Sequence, residues 1–256
     1  MPGPDRPQGE RIAKLLARAG VASRREVERM IADGRVALDG KALDTPATIL
    51  PNLRGVTVDG RPVAQAEQAR VFAFHKPGGL ITAERDPRGR PTIYTALRNA
   101  MPKGAPRVMP VGRLDLNTEG LLLLTNDGGL KRALELPSSE VPRTYRVRAF
   151  GQVTQAQLNE LIDGVEIEGV RYGKIEADLE RGTKGGGGGS RNHWILMTLT
   201  EGKNREIRRV LEHLGLQVSR LLRVGYGPFN LGDLPRGAVA EIPQTQVEKL
   251  RRGLKL

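Results

Sequence analysis

Four consecutive leucines, Leu121 to Leu124, lie between one acidic turn at Asp115 and another at Asn126 and Asp127, in the stretch GRLDLNTEGLLLLTNDGG. An apolar run this short, bounded by turn residues, reads as a buried strand. It is far short of the roughly 18 apolar residues that a bilayer span requires. The same stretch sets a carboxylate, Asp115, at the end of the buried strand beside Arg113. On pattern alone Asp115 is a turn or cap residue, because Asp competes well for local backbone hydrogen bonds. Partly desolvated among leucines and kept ionised by a guanidinium, it could instead serve as a nucleophile or base without help from histidine.

That alternative matters because other catalysts are scarce. The chain has no cysteine, which excludes disulfides, thiolate chemistry and cysteine-bound zinc. Its three histidines, His75, His193 and His213, include no pair at helical ligand spacing, which argues against a metal site or a serine-histidine triad. GXXXXGK[ST] is absent, which disfavours an NTPase. What the chain has in excess is positive charge: 41 Lys and Arg against 29 Asp and Glu, a net +12. The surplus is +3 over residues 1–63, +4 over 64–200 and +5 over 201–256, as expected if two domains touch one extended polyanion, with nucleic acid the first candidate. The start, MPGPDRPQGE, has no apolar h-region, so the expectation is a cytoplasmic protein with no membrane partner.

Composition and periodicity divide the chain. Residues 1–9 read as a disordered Pro- and Gly-rich arm. ERIAKLLARAG places Ile12, Leu15, Leu16 and Ala19 on one helical face, and Gly20 stops that helix. In VASRREVERMIADG, Ser23 and Glu26 have capping-box spacing, Ala22 and Val27 form a staple, and Val27, Met30 and Ile31 make the apolar stripe. VALDGKAL and VTVDGRPV each predict a hairpin around Asp-Gly. A small domain over 10–63, a linker over 64–70, a larger domain over 71–245 and a basic tail over 246–256 follow. Within the larger domain RTYRVRAF alternates strictly and reads as a half-buried strand, and VTQAQLNELIDG reads as a helix ending at Gly164. KRALELP reads as a helix capped by Asn126 or Asp127. The tract Gly185 to Gly189 reads as a flexible hairpin tip.

Three further groups have both an ordinary and a functional reading. Tyr145 on a strand face is by default a core aromatic, and otherwise a platform on which a flipped base stacks. The arginines of NREIRR are by default the solvated flank of an amphipathic helix; alternatively one turns inward to pair with Asp115 while its neighbours meet phosphates. His75 and Lys76 ahead of PGG read as shaping a strand-to-turn exit.

Taken together, GRLDLNTEGLLLLTNDG, HKPGGLITAERDPRGRPT, RTYRVRAFG and EGKNREIRRVLEHLG, in this order, resemble the motifs of a family of bacterial ribosomal pseudouridine synthases, whose A type modifies small-subunit rRNA and whose B, E and F types modify large-subunit rRNA. NHW, VSRLLRVGYG and LPRG lean towards its large-subunit members. Residues 10 to about 57 resemble the alpha-L RNA-binding module named after ribosomal protein S-four. The resemblance implies an α+β chain: the small RNA-binding module, then a catalytic domain with a mixed, largely antiparallel sheet flanked by helices. It implies a catalytic aspartate at Asp115, a uracil-stacking tyrosine at Tyr145 and a basic partner of the aspartate at Arg208, with Arg205 in reserve. Lys14, Arg18, Arg24, Arg25, Arg29, Arg113, Arg205 and Arg209 are the expected RNA contacts. The implied reaction isomerises uridine in ribosomal RNA without a cofactor or metal, and a monomer suffices for it.

Overall fold

The computed structural model describes residues 9–64, 67–180 and 192–256 and falls into two compact units, one formed mainly by residues up to Ala69 and one by the remainder. The glycine tract Gly185 to Gly189, all but the last residue of the N-terminal arm, and residues 65 and 66 of the linker lie outside the described residues.

The smaller unit carries β1 (Glu10–Arg11), α1 (Ile12–Arg18), α2 (Arg24–Ala32), β2 (Val36–Leu38), β3 (Lys41–Ala42), β4 (Ile49–Leu50), β5 (Val56–Val58) and β6 (Arg61–Pro62). Its core is the two helical stripes, with Ile12, Leu16 and Val27 wholly buried. Ser23 caps α2 by accepting from the Glu26 amide at 3.3 Å, but Glu26 turns away to pair with Arg29, so only half of the capping box forms. Both Asp-Gly hairpins form, with Asp39 and Gly40 at φ 49° and 80° and Asp59 and Gly60 at φ 50° and 73°. These positive angles are what a two-residue hairpin turn demands. Pairing of β2 with β5 merges the hairpins into one sheet, β3-β2-β5-β6.

The larger unit begins with β7 (Val71–Lys76), α3 (Ile93–Ala100), β8 (Met109–Pro110), β9 (Thr118–Thr125) and α4 (Gly128–Glu135). It continues with β10 (Arg143–Phe150), α5 (Gln155–Asn159), β11 (Val165–Ile167), β12 (Val170–Tyr172), β13 (Ile175–Leu179) and β14 (Asn192–Leu199). α6 (Glu206–His213), β15 (Gln217–Tyr226), β16 (Phe229–Asn230), β17 (Val239–Glu241) and α7 (Gln244–Gly253) complete it. The main sheet runs β13-β14-β10-β15-β9-β7-β17, with β16 on β15 and β8 on β9. Every pairing in it is antiparallel except β15 with β9.

Because side chains alternate across a strand, register assigns each a face. Val147, Ala149, Ile195, Met197 and Leu221 point to the face covered by α6 and α5, whereas Leu121, Leu123 and Leu222 point to the opposite face with Leu130, Leu134, Val247 and Leu250. The leucine run is thus buried on both faces, with all four side chains fully enclosed. Two expectations need correction. The second half of the Gln155–Asp163 helix tightens into a 3-10 turn before Gly164, and the segment read as a basic tail is mostly the helix α7, docked by Val247 and Leu250.

Candidate functional site

Asp115 opens the turn into β9, where the Thr118 amide donates to its carbonyl at 3.0 Å. Neighbouring segments hold this turn by its backbone. Lys76, at the end of β7, is wholly buried, and its Nζ donates to the carbonyls of Pro77 at 3.1 Å, Asp115 at 3.1 Å, Leu116 at 3.4 Å and Thr118 at 2.9 Å. The Thr82 hydroxyl donates to Leu114 O at 2.8 Å and accepts from Leu114 N at 3.2 Å, and the Gly79 amide donates to Leu116 O at 2.7 Å. An ammonium ringed by carbonyl dipoles is stabilised without a contacting carboxylate. Burial nonetheless lowers the Lys76 amine to about 8, against the pull of Asp115 and Glu119.

The Asp115 side chain is exposed and its carboxylate makes no hydrogen bond or ion pair with a described residue, so the expected desolvation among leucines is not found. The leucines lie beneath the turn because they point into the sheet's two cores, while the turn itself is tied down by its carbonyls. The tethering therefore fixes where the carboxylate starts and leaves its oxygens available.

Register brings the other candidates to the same face. Tyr145 on β10 is opposite Arg223 on β15, Arg223 is opposite Gly120 on β9, and Gly120 is opposite Lys76 on β7. Strands about 4.8 Å apart put Tyr145 roughly 10 Å from Gly120 across two pairings. Gly120 has φ 105°, and a Cβ there would come within 2.2 Å of the Arg223 carbonyl, so only glycine lets β9 and β15 approach at this point. Tyr145 is half-buried against the α6-side core. The Arg223 guanidinium, 2% exposed, lies 6.0 Å from its ring centre and 5.0 Å from that of Tyr226.

Arg208 sits on α6, half-buried, with Nη1 donating to Val218 O at 3.4 Å and Nε enclosed without a partner among the described residues. Burial, then the like charge of Arg205, lowers its proton affinity, while Asp115 and Glu212 oppose the loss. Asp115 and Arg208 therefore share an electrostatic field, but the direct ion pair expected between them is absent. The loop before α6 is shaped by acids instead. Glu206, 3% exposed, accepts from the Lys203 amide at 2.8 Å, and its own amide donates to Lys203 O at 3.3 Å. Glu201 accepts from Gly173 N and from Lys203 Nζ, both at 2.6 Å. Burial, then the neighbouring Glu201, pushes the Glu206 carboxyl up to about 8.

The remaining candidates are scattered. Lys14 and Arg18 both engage Glu10, Arg29 engages Glu26, and Arg24, Arg25, Arg113 and Arg205 are exposed. Arg209 donates to the Tyr172 hydroxyl at 3.4 Å. Sequence reasoning does not reach Lys76, Thr82, Arg223 or Glu206 as residues of the site. A signal existed for Lys76: Phe72, Phe74 and Lys76 alternate on one strand face, which sends the amine where two phenyl rings go.

An exposed aspartate tethered by its backbone thus lies at the start of β9, on a mixed sheet whose neighbouring strands carry Lys76, Arg223 and Tyr145. Residues 70–213 match the RNA pseudouridylate synthase family, and the chain belongs to it; residues 10–51 match the S4 domain. An RNA pseudouridine synthase of Rickettsia felis is 41% identical over 94% of this chain and 100% of its own length. The ribosomal large subunit pseudouridine synthase B of Escherichia coli O6:H1 is 45% identical over 96% of this chain and 84% of its own. A crystal structure of a pseudouridylate synthase shares the fold, with a TM-score of 0.62 at 24% identity over 94% of this chain and 99% of that one.

Proposed function

We propose that this protein converts a specific uridine of large-subunit ribosomal RNA into pseudouridine, with Asp115 as the reacting carboxylate. The RNA target rests on the likeness to the large-subunit enzyme of Escherichia coli. The isomerisation breaks the bond from ribose C1′ to N1, turns the base and joins C1′ to C5, so that C5 exchanges its hydrogen with water and nothing else is lost. Asp115 either attacks C1′ or removes the C2′ proton; both routes need an ionised carboxylate free to reach the ribose. The observation that carries the reading is the Asp115 turn, held through Lys76, Thr82 and Gly79 while the carboxylate stays unengaged among the described residues.

In this reading the target nucleotide is flipped from its stack and its base rests on Tyr145, whose ring Arg223 backs. Arg208 supplies positive potential near Asp115 at a distance rather than through a salt bridge. Arg113, Arg205 and Arg209 contact phosphates, and residues 10–63, with Lys14, Arg18, Arg24, Arg25 and Arg29, form an RNA-binding domain separate from the catalytic domain. The site of action is the cytoplasm, where ribosomes are assembled.

Tritium release from large-subunit ribosomal RNA, transcribed unmodified with uridine labelled at C5, tests this. The wild type should release tritium and Asp115→Asn should release none while binding the same RNA equally. Equal release by both removes Asp115 from the mechanism, and silence from both, with binding retained, points to a non-catalytic RNA-binding factor.

A further inference from the structure

Alternation that sends Tyr145, Val147 and Ala149 to the catalytic face sends Arg146, Arg148 and Phe150 to the other. On that face β10 has Trp194 opposite Arg148 on one side and Arg220 opposite it on the other. Arg146 lies 4.3 Å from the centre of the Trp194 ring and forms a bidentate pair with Glu180. Arg220 is held by both oxygens of Glu119 at 3.0 Å, and Arg236 reaches the same carboxylate at 3.4 Å. Around β10 and β14 this face is open to solvent, beyond the part that Leu130, Leu134, Val247 and Leu250 cover: Phe150 is 43% exposed, Leu196 is 37% exposed and Arg148 is exposed.

Two features of this arrangement work against folding. Like charges directly opposite each other on neighbouring strands repel, and Arg148 faces Arg220 with no acid of its own among the described residues. A phenyl ring stands in water two residues further along the same strand. Of the four arginines here, Arg146 is paired by Glu180 and Arg220 and Arg236 share Glu119, which leaves Arg148 without a carboxylate among the described residues; Glu176, paired with Lys174, and Asp178 lie on the edge strand β13. Guanidinium groups interleaved with aromatic rings on the exposed end of a sheet suit a single-stranded nucleic acid, whose phosphates relieve the arginine repulsion and whose bases stack on the rings.

We propose that this outer sheet face, centred on Arg148, Phe150 and Trp194, is a second RNA-binding surface that holds a single-stranded segment of the substrate RNA remote from the target uridine. The proposal rests on the substrate being RNA. Because the surface lies across the sheet from Asp115 and Tyr145, an RNA can occupy both only by passing around the sheet, which a short hairpin cannot do. The surface therefore contributes to affinity for long RNA alone.

The test compares wild type with Arg148→Ala/Phe150→Ala, neither residue belonging to the catalytic face. The probes are full-length large-subunit ribosomal RNA and a short hairpin cut around the uridine modified in it. Direct binding is read alongside tritium release, so that a failure of the catalytic assignment leaves the binding comparison intact. The expected result is about a tenfold loss of affinity and rise in KM on the long RNA, from one stacked base and one phosphate contact. kcat should be unchanged, the salt slope of binding should fall by about 1, and the hairpin should be unaffected. Equal losses on both RNAs would place the effect in the fold or the catalytic site and overturn the proposal. Unchanged binding of the long RNA would overturn it too, leaving the face to a protein partner.

Discussion

Glu206→Gln isolates the electrostatics of the loop that leads into α6. A carboxyl raised from 4.5 to about 8 in the fold favours folding while it stays protonated. That stability is fully present below pH 4.5 and is lost as pH rises through 8. At ~1.4 kcal/mol for each tenfold change in proton affinity, the loss amounts to about 3 kcal/mol by pH 7 and at most about 5 above pH 8. Glutamine keeps the oxygen that accepts from the Lys203 amide, can donate to Glu201 and cannot ionise. Glu201 itself is held below its ordinary range, so its titration falls at lower pH and outside this window. Thermal unfolding followed from pH 5 to 8 should show the wild type losing stability relative to Glu206→Gln. The separation should reach roughly 10 to 15 °C in Tm at pH 8. Parallel curves would refute the argument, since they would mean that Glu206 ionises in the fold as freely as in the unfolded chain.

Lys76 titrates in the opposite sense: its amine is lowered from 10.5 to about 8, so the cost of its buried charge is present below pH 8 and disappears between pH 8 and 10.5. The wild-type profile should therefore pass through a minimum near pH 8, and Lys76→Met should lack the alkaline recovery. The same variant releases the Asp115 turn and should lower kcat for tritium release by about 100-fold, with RNA affinity kept. Thr82→Val removes both hydrogen bonds to Leu114 and should cost about 1 to 3 kcal/mol in urea unfolding. Gly120→Ala drives a methyl into the Arg223 carbonyl at positive φ and should cost more than about 3 kcal/mol, visible as a fall in the urea midpoint.

Where a signal depends on near neighbours, the sequence can be read directly. The Asp-Gly turns, the Ser23 cap and the alternation of RTYRVRAF each depend on residues a few positions apart, and each is found. The Gln155–Asp163 helix departs from expectation at its second half because nothing local distinguishes a 3-10 turn from another α turn. The 246–256 segment hides its helix because its two buried residues, Val247 and Leu250, are outnumbered by charges that face water. At the site, it is the resemblance to the synthase motifs that singles out Asp115, Tyr145 and Arg208 as candidates, not the residue pattern alone. The surroundings of Asp115 are not legible, because Lys76 acts across 39 residues and Arg223 bonds Leu121 across 102. Interactions of that span leave no local period.

The one parallel pairing of the main sheet among the described residues, β9 with β15, carries a consequence for the order of folding. It joins the part of the sheet that owns Asp115 to the part that owns Tyr145, and β15 lies close to the C-terminus. Closing a loop of about 100 residues is the slowest kind of contact to make. A nascent chain that has already delivered Asp115, Tyr145 and Arg208 does not hold Asp115 and Tyr145 on one sheet until that last seam closes. A chain cut before Gln217 would therefore carry both halves of the sheet without the pairing that joins them.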